Sequence, residues 1–134
     1  MARDFKVIVC DDDQDTLFEL KEFLVGLGFA RLEACCSPRR AVSALEECRD
    51  DILLITDLKM PLIDGAQLVG LAKSRALARG RIAVCIVITG HLDLSSPSCA
   101  VDIGADALIN KPIDPDELES ILRNLLVLDA GAVT

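Results

Sequence analysis

The chain has 134 residues, a length that suits one compact domain, because chains divide into several domains only above about 250 residues. Its hydrophobic fraction of 51% supports a packed core and argues against disorder. The net charge of −8 argues against nonspecific binding to nucleic acid or anionic membranes, which needs a positive surface. The four aromatic residues are all phenylalanine, too few for a base-stacking platform.

Short β-branched runs alternate along the chain with stretches in which leucine or alanine recurs at helical spacing. In chain order the runs predict strands at Phe5–Cys10, Arg31–Cys36, Ile52–Thr56, Ile82–Ile88 and Ala107–Ile109. The helical stripes predict helices around residues 17–27, 41–48, 68–72 and 118–126, and a short, irregular one over Pro97–Ile103. Ser37-Pro38 and Asp114-Pro115 are typical of helix starts, and Gly28 follows the end of the first helix.

Strands that alternate with helices require right-handed crossovers, so the strands form a parallel sheet with helices on both faces. The run from Val84 to Ile88 is apolar throughout, as expected of a central strand covered on both sides. The pattern therefore predicts an α/β fold in which a doubly wound, five-stranded parallel sheet forms the middle of three layers.

The cysteines and the N-terminus indicate the compartment. Three of the six cysteines, Cys10, Cys35 and Cys85, lie inside strand-like runs, where a free thiol acts as a small apolar group. The N-terminus lacks a signal-peptide pattern, and no apolar run approaches the roughly 20 residues that cross a bilayer. We therefore expect reduced thiols, a cytoplasmic location and no membrane association.

Polar residues follow four of the five strands. The first strand is followed by Asp11–Asp13, the third by Asp57, the fourth ends at Thr89, and Lys111 follows the fifth. Ligands of doubly wound sheets bind beyond these carboxyl ends. Crowded carboxylates without histidine or cysteine ligands favour Mg²⁺, and a lysine and a threonine nearby suit phosphoryl oxygens. A carboxylate in such a site can attack phosphorus and form an aspartyl phosphate.

Four segments, in this order and at these separations, resemble the receiver domains of two-component response regulators. They are VIVCDDD (Val7–Asp13), DLKMPLIDG (Asp57–Gly65), VITGH (Val87–His91) and GADALINKP (Gly104–Pro112). The resemblance covers nearly the whole chain, from about residue 6 to residue 126. It implies a flavodoxin-like (βα)5 sandwich with strand order 2-1-3-4-5, a receiver domain over residues 1–128, and a short C-terminal tail over residues 129–134.

The resemblance also implies a magnesium site built around the phosphoacceptor, Asp57. Asp12 and Asp57 would bind Mg²⁺ directly, together with the backbone carbonyl of Lys59. Asp11 would support the ion through a water molecule. On this interpretation Mg²⁺ is the cofactor.

The remaining site residues implied by the resemblance are Thr89 and Lys111, which would bind the phosphoryl oxygens. The family often has a cis peptide after this lysine, here Lys111–Pro112. The implied partner is a sensor histidine kinase or a histidine phosphotransfer protein, with an unknown downstream effector and a possible homodimer. The domain would be a signalling module that catalyses its own phosphorylation and dephosphorylation, rather than an enzyme acting on other substrates.

Three departures from the family pattern concern signal transmission. Leu108 occupies the position of the aromatic residue whose rotation the family couples to its threonine. Gly90 replaces the alanine common after that threonine, and the segment over Pro97–Ile103 is a weak helix. Lys59 and His91 fall at positions that tune dephosphorylation in the family. We expect intact phosphorylation chemistry with unusual transmission.

Two other functions stay open at this stage. A phosphohydrolase of the haloacid-dehalogenase type would use Asp11 as nucleophile and Asp13 as general acid or base, but it leaves Asp57 unexplained. A receiver that acts only as a phosphorylation-independent interaction module is mildly favoured by Leu108, while the complete set of acidic residues, threonine and lysine disfavours it.

Overall fold

A computed structural model describes residues 5–90 and 103–129, and the side chains of residues 5–90 and 103–126. Its elements are β1 (Lys6–Cys10), α1 (Gln14–Gly26), β2 (Leu32–Cys35), α2 (Pro38–Glu47), β3 (Ile52–Asp57), α3 (Gly65–Ala78), β4 (Ala83–Thr89), β5 (Ala107–Asn110) and α4 (Pro115–Asp129). Strands and helices alternate from β1 to β4, and β5 and the C-terminal helix are the last two described elements. The five predicted strands are confirmed to within one residue at each end. The weak helix expected over Pro97–Ile103 lies outside the described residues, apart from Ile103.

The strands form one parallel sheet in the order β2-β1-β3-β4-β5. Strand order reverses between β1 and β3, so the carboxyl ends of these two strands meet at the switch point where such sheets bind ligands. Both the doubly wound topology and the predicted strand order are confirmed.

Alternate residues of the buried strands supply two separate cores, one on each face of the sheet. Val7 and Val9 point to the face covered by α1 and α4, whereas Ile8 and Cys10 point to the face covered by α2 and α3. β3 and β4 are buried along their whole length, which confirms for β4 the central position that its continuous apolar sequence predicted. The result is a three-layer sandwich.

The helix starts have identifiable causes in the sequence. The Ser37 side chain accepts a hydrogen bond from the Arg40 amide, and Pro38 opens α2. At the start of α3 the side chains of Asp64 and Gln67 each accept a hydrogen bond from the other residue's backbone N–H, which is a capping box. These caps fix where α2 and α3 begin, and hence the length of the loops at the sheet edge.

Two expectations drawn from composition concern bilayers and thiols. Among the described residues, no helix combines the length and the hydropathy needed to span a bilayer. The five cysteines in the described part of the chain are free thiols, and four of these five are buried. Burial raises the pKa of Cys85 to about 12, so this thiol stays protonated and acts as a core residue.

Candidate functional site: an acidic cluster at the carboxyl edge of the sheet

The register of the sheet brings the predicted site residues to one edge. Cys10 pairs with Thr56, so the residues that follow them, Asp11 and Asp57, lie side by side. On the other side of β3, Thr89 pairs with Asn110, the residue before Lys111. The Lys111 amide donates a hydrogen bond of 2.8 Å to the Thr89 carbonyl. Side chains separated by up to 100 positions in sequence therefore converge, as strand-end positions predicted.

Three carboxylates lie close together at this edge of the sheet. Asp11, Asp12 and Asp57 each place an oxygen within 4.8 Å of the others. Asp11 is completely buried, Asp57 is 8% exposed, and Asp12 is exposed. The buried Oδ2 of Asp11 accepts no hydrogen bond of regular geometry. An all-oxygen cluster that includes a completely buried carboxylate fits a hard divalent cation such as Mg²⁺.

Lys111 partly neutralises this cluster. Its Nζ lies 3.2 Å from Oδ2 of Asp11 and 3.5 Å from Oδ2 of Asp57. Burial raises the pKa of the Asp57 carboxyl above its ordinary value and the Asp11 carboxylate adds to the rise, while Lys111 opposes both. Burial acts to lower the pKa of Lys111, but the two carboxylates outweigh it and the pKa is raised. One ammonium against three carboxylates leaves the site in need of further positive charge.

The backbone around Asp57 is fixed by three hydrogen bonds and by one close approach. The Thr56 hydroxyl donates a hydrogen bond to the Asp57 carbonyl at 2.9 Å, and the Leu58 amide donates one to the Ile88 carbonyl at 2.9 Å. The Gly65 amide donates to the Leu58 carbonyl at 2.8 Å. A Cβ atom at Gly65 would lie 2.4 Å from the Asp57 carbonyl oxygen. Sequence reasoning did not single out Gly65 or Thr56, although the glycine closes the DLKMPLIDG segment.

Asp13 belongs to helix α1 rather than to the acidic cluster. Its side chain accepts hydrogen bonds from the Asp15 amide at 3.2 Å and the Thr16 hydroxyl at 2.8 Å. These bonds hold the pKa of Asp13 below its ordinary value. Asp13 therefore caps α1, and its carboxylate is not one of the three that cluster around Asp57.

The other predicted positions surround the cluster. Lys59 follows Asp57 in the loop and its side chain is exposed, Gly90 is exposed, and Thr89 is 1% exposed. Leu108 is half-buried and packs on the α2–α3 core. His91 lies outside the described residues.

The peptide bond at the Lys111–Pro112 step is cis, as the family resemblance implied. The two residues follow β5, whose last residue pairs with Thr89. The cis peptide is therefore part of the strand-end geometry that carries Lys111.

The fold and the site together define a flavodoxin-like α/β domain with an acidic pocket at the switch point of the sheet. A family model for the response regulator receiver domain matches residues 7–123, and the chain belongs to that family. Response regulator Rre1 of Synechocystis is 31% identical over 126 residues, which cover 94% of this chain and 53% of that protein. An uncharacterized 14.6 kDa protein of Leptolyngbya boryana is 31% identical, with 87% of this chain and 86% of that protein covered.

Several relatives are about twice as long as this chain. The transcriptional regulatory protein TctD of Salmonella typhimurium is 27% identical over 96% of this chain and 54% of its own length. With Rre1, it shows that the chain spans about half the length of some curated relatives that it matches.

Solved structures agree on the fold. A response regulator receiver domain from Clostridium thermocellum superposes with a TM-score of 0.81 at 25% identity, covering 96% of this chain and 99% of that one. The CheX–CheY complex with BeF3 and Mg²⁺ from Borrelia burgdorferi contains a chain with a TM-score of 0.73 at 23% identity, covering 92% of this chain and 90% of that one. These likenesses support the receiver fold.

Proposed function

We propose that this domain is the receiver of a two-component phosphorelay and that Asp57 is its phosphoacceptor. The observation that carries the proposal is the surroundings of Asp57. Its carboxylate is largely buried, lies 3.5 Å from the Lys111 ammonium, and shares an all-oxygen cluster with Asp11 and Asp12. A nucleophilic carboxylate beside fixed positive charge and a cation site is suited to phosphoryl transfer.

We propose Mg²⁺ as the cofactor, held by Asp12 and Asp57, with the Lys59 carbonyl as a further ligand and Asp11 acting through water. The three carboxylates offer hard oxygen ligands, and the single Lys111 ammonium beside them leaves negative charge that a divalent cation would neutralise. When bound, Mg²⁺ supplies charge neutralisation for the phosphoryl oxygens. The exposure of Asp12 leaves the cluster open to an ion and to a phosphodonor.

The chain's own residues position and neutralise the reacting groups. An oxygen of Asp57 attacks phosphorus, the bond from phosphorus to the donor breaks, and the phosphoryl group stays on Asp57. Lys111 leaves its ion pairs with the carboxylates to bind a phosphoryl oxygen, and the Thr89 hydroxyl donates a hydrogen bond to another. The Thr56 hydroxyl keeps the Asp57 backbone in place through its bond to the carbonyl.

The phosphodonor is a sensor histidine kinase or a histidine phosphotransfer protein in this proposal, and the domain works in the cytoplasm. In this proposal the receiver domain spans residues 1–128. It catalyses its own phosphorylation and dephosphorylation, and phosphorylation changes its contacts with an effector. Leu108 cannot act as a rotating aromatic, so the signal leaves the site by another route.

The phosphoacceptor is tested by intact-mass measurement after incubation with Mg²⁺ and acetyl phosphate. We expect the wild-type mass to rise by one phosphoryl group and the mass of Asp57→Asn to stay unchanged. Asp13→Asn is the matched control, because it removes a neighbouring carboxylate outside the cluster while asparagine still caps the helix. An unlabelled wild-type protein, under conditions that label another receiver, would refute the proposal.

The cation site is tested separately with Asp12→Ala. This exposed residue contributes one of the three clustered carboxylates, so we expect the variant to stay folded and to lose Mg²⁺ affinity measured by titration calorimetry. Asp15→Ala, on an exposed residue outside the cluster, should retain the wild-type affinity. Equal Mg²⁺ affinity in Asp12→Ala and the wild type would remove Asp12 from the site.

A further inference from the structure

One side of β2 carries backbone groups that no other strand of the described sheet uses. β2 stands first in the strand order and pairs only with β1 within residues 5–90 and 103–129. The carbonyls of Arg31 and Cys35 accept hydrogen bonds from amides at the two ends of β1. Because these directions alternate along a strand, the backbone groups of the even-numbered residues point outward, at Leu32, Ala34 and Cys36. We call this outward side of residues 32–36 the β2 edge.

An apolar groove lies beside the β2 edge on the α1 side of the sheet. It has a volume of about 280 Å³, and its lining includes Leu17 and Phe18 of α1 together with Ala34 and Cys36. The Phe18 side chain is 63% exposed, although it is large and apolar. Leu32 is half-buried and packs on the same side of the sheet, next to the α1–α4 core. One edge therefore presents both a groove and an apolar side chain of a size that could fill it.

We propose that a second copy of this chain pairs with the β2 edge in antiparallel register, so that two sheets join about a two-fold axis. In this register Ala34 lies opposite Ala34 of the second copy, and Leu32 lies opposite Cys36. Since paired residues share one face of the sheet, Leu32 of each copy enters the groove beside Phe18 of the other. Pairing Leu32 with Ala34 instead would set two Glu33 side chains directly opposite each other, which like charges disfavour.

The other face of the β2 edge has complementary charge. Glu33 pairs with Ile8, which points to the α2–α3 core, so Glu33 also points to that face. Its carboxylate lies 3.5 Å from the Lys6 ammonium and 3.8 Å from the Arg40 guanidinium, and the Arg40 side chain is 70% exposed. Two cations beside one carboxylate leave positive charge on each edge. In the proposed register the two Glu33 residues are diagonal neighbours about 7–8 Å apart, so Arg40 of one copy can contact Glu33 of the other.

The test is sedimentation equilibrium of the full chain over a range of concentrations, in EDTA and without a phosphodonor. We expect a monomer–dimer equilibrium. Phe18→Glu changes an exposed side chain, so the fold is kept, and it should weaken dimerisation on the order of tenfold or more. Leu77→Glu is the matched control, because it adds the same charge at an 82% exposed apolar residue of α3, and it should dimerise as the wild type does.

Disulfide cross-linking tests the register. In a Cys36→Ser, Cys99→Ser background, Ala34→Cys should place two thiols opposite each other, at the Cα separation of about 5.5 Å that suits a disulfide. Mild oxidation should then give a covalent dimer. Ser74→Cys, on an exposed residue of α3, should stay monomeric under the same oxidation.

Three results would overturn the proposal. The first is a wild-type protein that stays monomeric at every concentration, which would leave the β2 edge to an extended segment of another protein. The second is equal dimerisation of Phe18→Glu and Leu77→Glu, and the third is a dimer in which Ala34→Cys does not cross-link. Since no phosphorylation is measured, failure of the proposed receiver chemistry would leave these results unaffected.

Discussion

A methyl group added at Gly65 and one added at Gly70, both in α3, should change the free energy of unfolding in opposite directions. At Gly65 a Cβ would lie 2.4 Å from the Asp57 carbonyl oxygen and 3.0 Å from the Leu58 Cα, whereas at Gly70 nothing lies within 4 Å. Ordinary van der Waals contact begins near 3.4 Å, so Gly65→Ala requires the Asp57 backbone and the start of α3 to move about 1 Å further from each other. Gly70→Ala adds only a better helix former.

The expected magnitudes follow from these contacts. Gly65→Ala should lower the free energy of unfolding by about 1–3 kcal/mol, the usual cost of overpacking. Gly70→Ala should raise it by about 0.8–1 kcal/mol, the difference in helix propensity between the two residues. Displacement of the Asp57 backbone by about 1 Å should also slow phosphorylation by acetyl phosphate, on the order of 100-fold.

Urea denaturation gives the two free energies, and intact mass against time gives the phosphorylation rates. Gly70→Ala serves as the matched control in both assays, because it makes the same chemical change in the same helix. Equal stabilities for Gly65→Ala and Gly70→Ala, with equal phosphorylation rates, would refute the close approach of Gly65 to Asp57.

Three further changes test other features of the structure. Leu62 has φ of +73° and is 91% exposed, so Leu62→Asn should raise the urea midpoint through a gain of about 0.5–1 kcal/mol. Asp106 accepts 2.7 Å hydrogen bonds from Lys73 and the Cys85 amide, so Asp106→Ala should cost about 1–2 kcal/mol by thermal denaturation, more than removal of a surface ion pair. Asp57→Asn in EDTA should unfold at higher urea than wild type at pH 7. The folded-state pKa of Asp57 is raised, so the wild-type protein loses stability as pH rises through that pKa and the buried carboxyl ionises. The difference in urea midpoint between Asp57→Asn and the wild type should therefore disappear below about pH 4, where the carboxyl is neutral in the folded and the unfolded chain. A difference that stays constant with pH would contradict the raised pKa.

The order of elements and the site position were predictable from local sequence. Apolar runs marked β3 and β4 because both faces of these strands are buried, and Ser37-Pro38 marked the start of α2 because its cap is a local interaction. Asp57, Thr89 and Lys111 were identified by their places after strands, since parallel strands deliver such residues to one edge of the sheet.

Contacts between residues distant in sequence needed the tertiary structure. Among the consecutive aspartates after β1, the structure assigns Asp13 to the cap of α1 while Asp11 turns inward toward Lys111. Neither the approach of Gly65 to the Asp57 carbonyl nor the contact of Cys10 with Met60, 50 positions away, is predictable from local sequence.

The physical reason for this division lies in the range of the forces. Periodicity and helix caps act over a few residues, so the order of the chain alone determined the strands, the helices and the residues that end them. Burial, the pKa of Asp57 and the approach of two side chains depend on which elements pack together, and only the assembled sheet and its two helical layers decided those.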